Sequence, residues 1–420
     1  MLWLSAFYIL RSAVKRNLPV LIITLVALGA CQTPPAPKPE APAAPPEAVK
    51  PVPAPTPTPP PPPEKPEPAP PALRPTTWDA IPGWRDENVV HAWPAFLRSC
   101  APLKQRPAWR DVCTVAATLA DADRDTLTRF LELNFTPYQA VNENGADSGL
   151  LTGYYEPLLH GSRNRSARYR YPLYGVPDDL LVIDLASVYP DLKNMRLRGR
   201  LEGRRVVPYF DRAQIDQGAA ATAGKEIVWV DDVVELFFLQ IQGSGRVRLD
   251  TGETVMVGYA DQNGYPYRSI GKLLVDRGEL PLEQASMQGI KAWGRSHPDK
   301  LAEILNFNAS YVFFRELPVG LPGPLGALGI PLTAQRSLAI DPRFVPLGAP
   351  VFIATTAPNS KQPLNRLMVA QDTGGAIRGA VRADFFWGFG QEAEREAGRM
   401  RQPLRMWVLL PNGFQLPNGN

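Results

Sequence analysis

From Thr33 to Pro75 the chain is written almost entirely in Pro, Ala, Glu, Lys and Thr, and this stretch limits what can fold. It holds 21 of the 47 prolines in the 420-residue sequence, so the remainder has an ordinary proline content and can form regular structure. Proline fixes φ and removes a backbone donor, and so polar a segment has little apolar surface to bury. The expectation is an extended spacer over residues 32–76, able at roughly 3.1 Å per residue to reach on the order of 100 Å. Everything globular must come from residue 77 onward, a length that suits two domains.

Ahead of the spacer, Arg11, Lys15 and Arg16 precede an apolar run over residues 18–30 that is too short to span a bilayer as a standard helix. The run ends in Leu28-Gly29-Ala30-Cys31, which resembles a bacterial lipobox. That resemblance implies a signal peptide over residues 1–31, cleavage before Cys31 and lipidation of its thiol. Gln32 in place of Asp implies the outer membrane. An uncleaved N-terminal anchor is the alternative, and export follows either way. In an oxidising compartment Cys100 and Cys113 suit a structural disulfide better than a reactive pair. His91, His160 and His297 are scattered, so neither a zinc-type cluster nor any cofactor site is expected. A net charge of +4 gives no case for nucleic-acid binding.

Residues 77–138 read as helical, most clearly over 123–134, where Leu127, Phe130, Leu131 and Leu133 form an apolar stripe capped by Asp123 or Asp125. Leu150 to Glu156 then reads as a strand ended by Pro157, with Tyr154 and Glu156 on one face and Tyr155 on the other, three side chains read together with the later motifs as glycan-groove ligands. Short strand signals follow to about residue 305, with helical signals at 270–277 and 282–295. Within them the run Leu236 to Gln242 is read as a strand. Gln240 and Gln242 share its exposed face and a Gly243-Ser244-Gly245 turn follows, so that paired amides can meet sugar hydroxyls and N-acetyl groups. Tyr259, Asp261, Gln262, Asn263 and Tyr265 cluster around an Asn-Gly turn, a mixture of flat rings and polar edges that suits stacking on sugars. After residue 306 the chain returns to short strands, with a helix near 392–400 and a closing strand at 406–410.

The densest chemistry lies in Gln371-Asp372-Thr373-Gly374-Gly375-Ala376-Ile377-Arg378-Gly379 and Arg382-Ala383-Asp384-Phe385-Phe386-Trp387-Gly388, which set two acids twelve positions apart. With Ala339-Ile340-Asp341-Pro342 and Val345-Pro346-Leu347-Gly348, these segments resemble the three-aspartate domain. Together with Gly153-Tyr154-Tyr155-Glu156-Pro157, Gln240-Ile241-Gln242-Gly243-Ser244-Gly245 and Gly258-Tyr259-Ala260-Asp261-Gln262-Asn263-Gly264, the chain is similar to the membrane-bound lytic murein transglycosylases of type A. The resemblance implies a mainly β fold with some helices. A double-psi β-barrel over residues 77–165 and 306–412 would be interrupted by an inserted all-β domain over 166–305, with a groove between them. It implies an exo-acting lyase that cleaves the MurNAc-β-1,4-GlcNAc bond of peptidoglycan glycan strands and leaves 1,6-anhydro-MurNAc ends. It also implies a place on the periplasmic face of the outer membrane, held by a lipid anchor, with proteins of cell-wall synthesis or division as partners.

By motif match the catalytic group is Asp384. An ordinary glycosidase needs two carboxylates; here the C6 hydroxyl of the substrate attacks C1, so one suffices. Asp384 would protonate the glycosidic oxygen and then take the C6-hydroxyl proton, which requires a raised pKa. Asp341 is read as a turn former, and Asp372 as the residue that fixes the Gly374-Gly375 turn. Arg382 shares a strand face with Asp384, and an ion pair between them would oppose the required shift. A hydrolytic endoglycosidase, with Asp372 or Glu156 as second carboxylate, would leave reducing ends instead. A wall-binding lipoprotein without activity is the remaining reading.

Overall fold

The structure, a computed structural model, describes residues 72–192 and 195–416. The signal peptide, Cys31 and the spacer up to residue 71 lie outside the described residues. A short strand β1 (Leu73–Pro75), expected to be part of the spacer, is instead part of the fold, with Leu73 buried, and leads through three 3-10 turns into helices α1 (Trp93–Leu103), α2 (Pro107–Ala117) and α3 (Arg124–Asn134). Pro107 opens α2, where its missing N–H costs nothing. Of the two acids offered by the sequence, Asp123 caps α3, its Oδ1 accepting the Thr126 N–H at 2.8 Å. A disulfide joins Cys100 on α1 to Cys113 on α2. Trp93, Phe96, Trp109, Phe130 and Phe135 interlock beneath these helices and continue into the core of the sheet that follows.

The strands are β2 (Phe135–Ala140), β3 (Gly149–Glu156), β4 (Leu158–Ser162), β5 (Tyr171–Tyr174), β6 (Leu181–Val182), β7 (Arg198–Glu202) and β8 (Arg205–Pro208). Next come helix α4 (Arg212–Asp216), strand β9 (Glu226–Val230), helix α5 (Val233–Gln242), and strands β10 (Ser244–Leu249) and β11 (Thr254–Gln262). Helices α6 (Ile270–Asp276), α7 (Met287–Ser296) and α8 (Leu301–Asn306) precede β12 (Val312–Glu316). The chain ends with β13 (Ser337–Ile340), β14 (Pro350–Ala354), β15 (Arg366–Thr373), β16 (Arg382–Phe389), helix α9 (Gln391–Arg399) and β17 (Arg401–Pro411).

Six of these strands close on themselves: β3, β16, β13, β15, β14 and β17 pair in that order, and β17 returns to pair with β3. The β3–β16 and β13–β15 pairs are parallel and the others antiparallel. The result is the closed barrel that the sequence implies, in a fold that is mainly β with some helices. Closure leaves no free strand edge within the ring. Buried side chains bind the N-terminal helices to it. Arg336 pairs with Glu87 at 2.6 Å, and Gln371 on β15 donates to Ala95 O and Ser99 Oγ on α1.

Pro157 separates β3 from β4, and there the chain leaves the barrel for a second, six-stranded sheet ordered β12-β11-β10-β4-β9-β5, so the insert runs from β4 to β12 and not over the expected 166–305; β6, β7 and β8 form a third sheet. The segment 166–305, expected to be all-β, also contains helices, and α5 to α8 bury Phe237, Leu274, Ile290, Trp293 and Ile304 in a core of their own. The run carrying Gln240 and Gln242 is α5, a helix and not a strand. Its apolar stretch is too short for periodicity to decide, and its caps decide instead: Asp232 accepts the N–H groups of Val234 and Glu235, and Gly243 ends the helix at φ 79°.

Helix α9 lies close on β3 at one point. A Cβ on Gly153 would stand 2.8 Å from Ala397 Cα and 2.8 Å from Trp387 Nε1. Gly153→Ala should therefore cost about 1–3 kcal/mol through overpacking. The check is a urea midpoint that falls with an unchanged m-value; an unshifted midpoint would show that α9 yields without cost.

Candidate active site

The barrel places Asp384 between two neighbours. On one side it pairs with Thr152 of β3, and on the other with Ala339 of β13. Ala339 in turn pairs with Asp372 of β15. Residues in register share a sheet face, so Thr152, Asp384 and Asp372 emerge together. Only β13 separates the two acids, which puts their Cα atoms within about 10 Å at the usual strand spacing. Two residues along, Tyr154 and Phe386 are also in register, their ring centroids 5.1 Å apart, and close this face with Leu332 and Ile377.

The Asp384 carboxylate accepts a hydrogen bond from Thr152 Oγ1 at 2.6 Å. Thr152 Oγ1 itself accepts from Arg382 Nη2 at 2.8 Å. A guanidinium can only donate, so the threonine proton is committed to Asp384. The alternation argument was right that Arg382 and Asp384 share a face, yet no direct bond joins them. The guanidinium turns instead to Thr152 and to the carbonyls of Leu150 and Ala383. Burial raises the Asp384 pKa from 3.8 to about 6; the Thr152 bond and the Arg382 charge pull it down, and Asp372 pushes it up. Asp384 as a residue is partly exposed.

Asp372 is held differently. Its Oδ1 accepts the N–H groups of Ala327 and Thr373, both at 2.9 Å, and its Oδ2 accepts the Tyr154 hydroxyl at 3.1 Å. These bonds tie the 327 loop and β15 together rather than fixing the Gly374-Gly375 turn expected of it. Burial raises the Asp372 pKa and the three hydrogen bonds oppose the rise. Asp341 is fully buried and forms the expected turn, its carbonyl accepting from Phe344 and Val345. Burial pushes its pKa up, but the Arg343 guanidinium and the Gly379 and Arg343 N–H groups hold it below the ordinary value. Gly374 sits where a Cβ would stand 2.8 Å from Ile377 Cγ1, whereas Gly375 faces open space.

The residues read as glycan ligands separate into two groups. Glu156 is 1 % exposed and pairs with Arg246, which lies over the Phe389 ring. Gln240 is buried and accepts from Arg212, and Asn263 is 1 % exposed, bonded to the backbone of Phe210, Ala309 and Tyr311. Ser244, Tyr154 and Tyr155 are buried as well, and the Tyr154 hydroxyl is given to Asp372. These positions are corrected to internal supports: their polar atoms are spent on the protein or sealed from solvent. Gln242 accepts the Tyr155 N–H, Asp261 pairs with Arg198, and Tyr259, Gln262 and Tyr265 keep exposed surface. Among the described residues, no group of three or more His, Cys, Asp or Glu side chains is placed to hold a metal ion. Sequence reasoning missed Thr152. It adjoins Gly153-Tyr154, but only the strand register reveals its role.

Comparison with known proteins agrees with this fold. Residues 150–315 match the MltA specific insert domain and residues 336–410 match the 3D domain. The crystal structure of MltA from Neisseria gonorrhoeae superposes with a TM-score of 0.70 at 43% identity, covering 82% of this chain and 93% of that one. Escherichia coli MltA with bound chitohexaose gives a TM-score of 0.61 at 26% identity, covering 82% and 95%. The curated membrane-bound lytic murein transglycosylase A of Escherichia coli K12 is 33% identical over 265 residues, 61% of this chain and 64% of that protein, just under two thirds of its length. Motif order, barrel topology and these likenesses agree: the chain belongs to the membrane-bound lytic murein transglycosylase A family.

Proposed function

We propose that this protein is a peptidoglycan lytic transglycosylase in which Asp384 is the sole acid and base. The observation that carries the reading is the unequal state of the two facing acids. Asp384 has one hydrogen-bond donor, on a single oxygen, while both oxygens of Asp372 are occupied by Ala327, Thr373 and Tyr154. A hydrolase would need a second carboxylate free to activate water. Asp372 is tied and Glu156 is sealed under Arg246.

The steps balance without water. Asp384 gives its proton to the glycosidic oxygen as the C1–O4 bond breaks; the C6 hydroxyl of the same MurNAc forms the C1–O6 bond and its proton returns to Asp384. A pKa of about 6 leaves roughly a tenth of the molecules protonated at pH 7, against fewer than about one in a thousand at an ordinary carboxylate value. The Thr152–Arg382 relay favours the ionised form, which suits the base half of the cycle. In this reading the barrel and its N-terminal helices form the catalytic body, and the part of the chain from β4 to β12 lines the groove with Gln242, Tyr259, Gln262 and Tyr265. The chitohexaose bound by the Escherichia coli relative supports a glycan there. No helix among the described residues is long and apolar enough to cross a membrane, and lipidated Cys31 would hold the enzyme at the periplasmic face of the outer membrane. The family name supports membrane attachment.

Asp384→Asn should lose 10³-fold or more of murein solubilisation, on the order expected when the only proton-transfer group is removed. Asp372→Asn should lose less, because it disturbs the loop and not the chemistry. Equal activity in wild type and Asp384→Asn would contradict the assignment. Because Asp384 must start protonated, kcat/KM should fall as pH rises through about 6. Thr152→Val removes a bond that stabilises the carboxylate, so this alkaline limb should move to higher pH; a limb that stays or moves down would rule out the relay.

A further inference from the structure

Three arginines from three separate loops converge beside the glycine-rich turn. Arg196 comes from the segment before β7, Arg343 from the loop after β13, and Arg378 from the loop between β15 and β16. With Asp341, Pro342 and Thr373 they bound a cavity of about 220 Å³, room for several waters at roughly 30 Å³ each. Their charges are not equally answered. Asp341 pairs with Arg343 at 2.5 Å. Arg196 reaches Thr373 Oγ1 at 3.4 Å, lies 5.9 Å from the centre of the Tyr259 ring and acts through its charge on Asp372, but makes no ion pair among the described residues. Arg378 is exposed and has no hydrogen-bond or ion-pair partner among them. The neighbouring Arg198, by contrast, is satisfied by Asp261 at 2.8 Å. Two guanidinium groups without an ion pair on one concave surface favour an anion of planar, bidentate shape.

The cavity also lies at the right place. Ile340, just before Asp341, pairs with Thr373 and with Ala383, the residue before Asp384. The pocket floor is thus about two strand residues, roughly 7 Å, along the sheet from the acid. A MurNAc unit at the cleaved bond carries a lactyl ether that ends in a carboxylate, or in a peptide that bears carboxylates of its own. We propose that the Arg196–Arg378 cavity is a specificity site that binds this carboxylate and so selects the acidic sugar for the cleaved position. The inference rests on the lytic reading for the identity of the substrate. Chitohexaose carries no carboxylate, so a neutral oligosaccharide would occupy the groove and leave this cavity unengaged.

The test is binding to the full chain carrying Asp384→Asn, so that affinity is read without turnover. Three hexasaccharides are titrated: chitohexaose, a peptide-free GlcNAc–MurNAc oligomer with free lactyl carboxylates, and the same oligomer with its peptides. Adding Arg378→Glu should weaken at least one acidic ligand tenfold or more, with Arg196→Gln weakening the same ligand, while chitohexaose changes less than twofold. The acidic ligand that loses more identifies lactyl or peptide carboxylate as the group bound. Equal loss on all three, or no loss on both acidic ligands, would overturn the proposal. An unchanged melting temperature controls for folding. Wild-type enzyme that left murein uncut would refute the lytic reading, whereas these affinities would still decide whether the cavity holds carboxylates.

Discussion

Parallel pairing of β3 with β16 sets Thr152 opposite Asp384, although 232 positions separate them in the chain. The active-site electrostatics depend on this register. A slip by one residue would turn Asp384 to the other face of the sheet, where Ala383 and Phe385 now lie fully buried. The register is fixed because β17 closes the ring against β3, and because Gly153 lets α9 lie close over the same strand. Barrel closure and active-site geometry are thus one constraint.

Within that frame two carboxylates of the same residue type take different roles. Both have pKa values raised by burial, and each lies close enough to affect its neighbours on the same face. Asp372 is bonded through both oxygens, so its environment makes it a tie between loops. Asp384 receives one short bond from a hydroxyl whose own acceptor capacity is taken up by a guanidinium. The positive charge therefore acts at one remove. Arg382 moderates the Asp384 pKa without forming the ion pair that would hold the acid permanently ionised. In the proposed mechanism, a proton donor that must later act as base benefits from this intermediate setting.

Much of the catalytic strand was legible in the sequence because its signals are local. The glycine-rich turn, the acid spacing, the Asp123 cap and the strand alternation around Tyr154 and Asp384 all involve residues within a few positions of one another. The failures are non-local. Gln240 and Asn263 resemble exposed amides in sequence, yet Gln240 meets Arg212, and Asn263 bonds backbone from two other segments. Glu156 alternates with Tyr154 as expected, but Arg246, ninety positions away, covers it. Helix α5 was read as a strand because a short apolar run serves either period, and the caps were the decisive signal. Thr152 had no sequence signal beyond adjacency to a motif.

In the proposed reaction one carboxylate and the C6 hydroxyl of the substrate suffice, so that no water enters the bond. This is tested most directly by digesting purified murein with the enzyme in water enriched in oxygen-18 and weighing the released muropeptides. The expected products end in 1,6-anhydro-MurNAc and contain no heavy oxygen. Products with reducing ends that carry one oxygen-18 would show that water is the nucleophile, and would require a second working carboxylate in place of the tied Asp372.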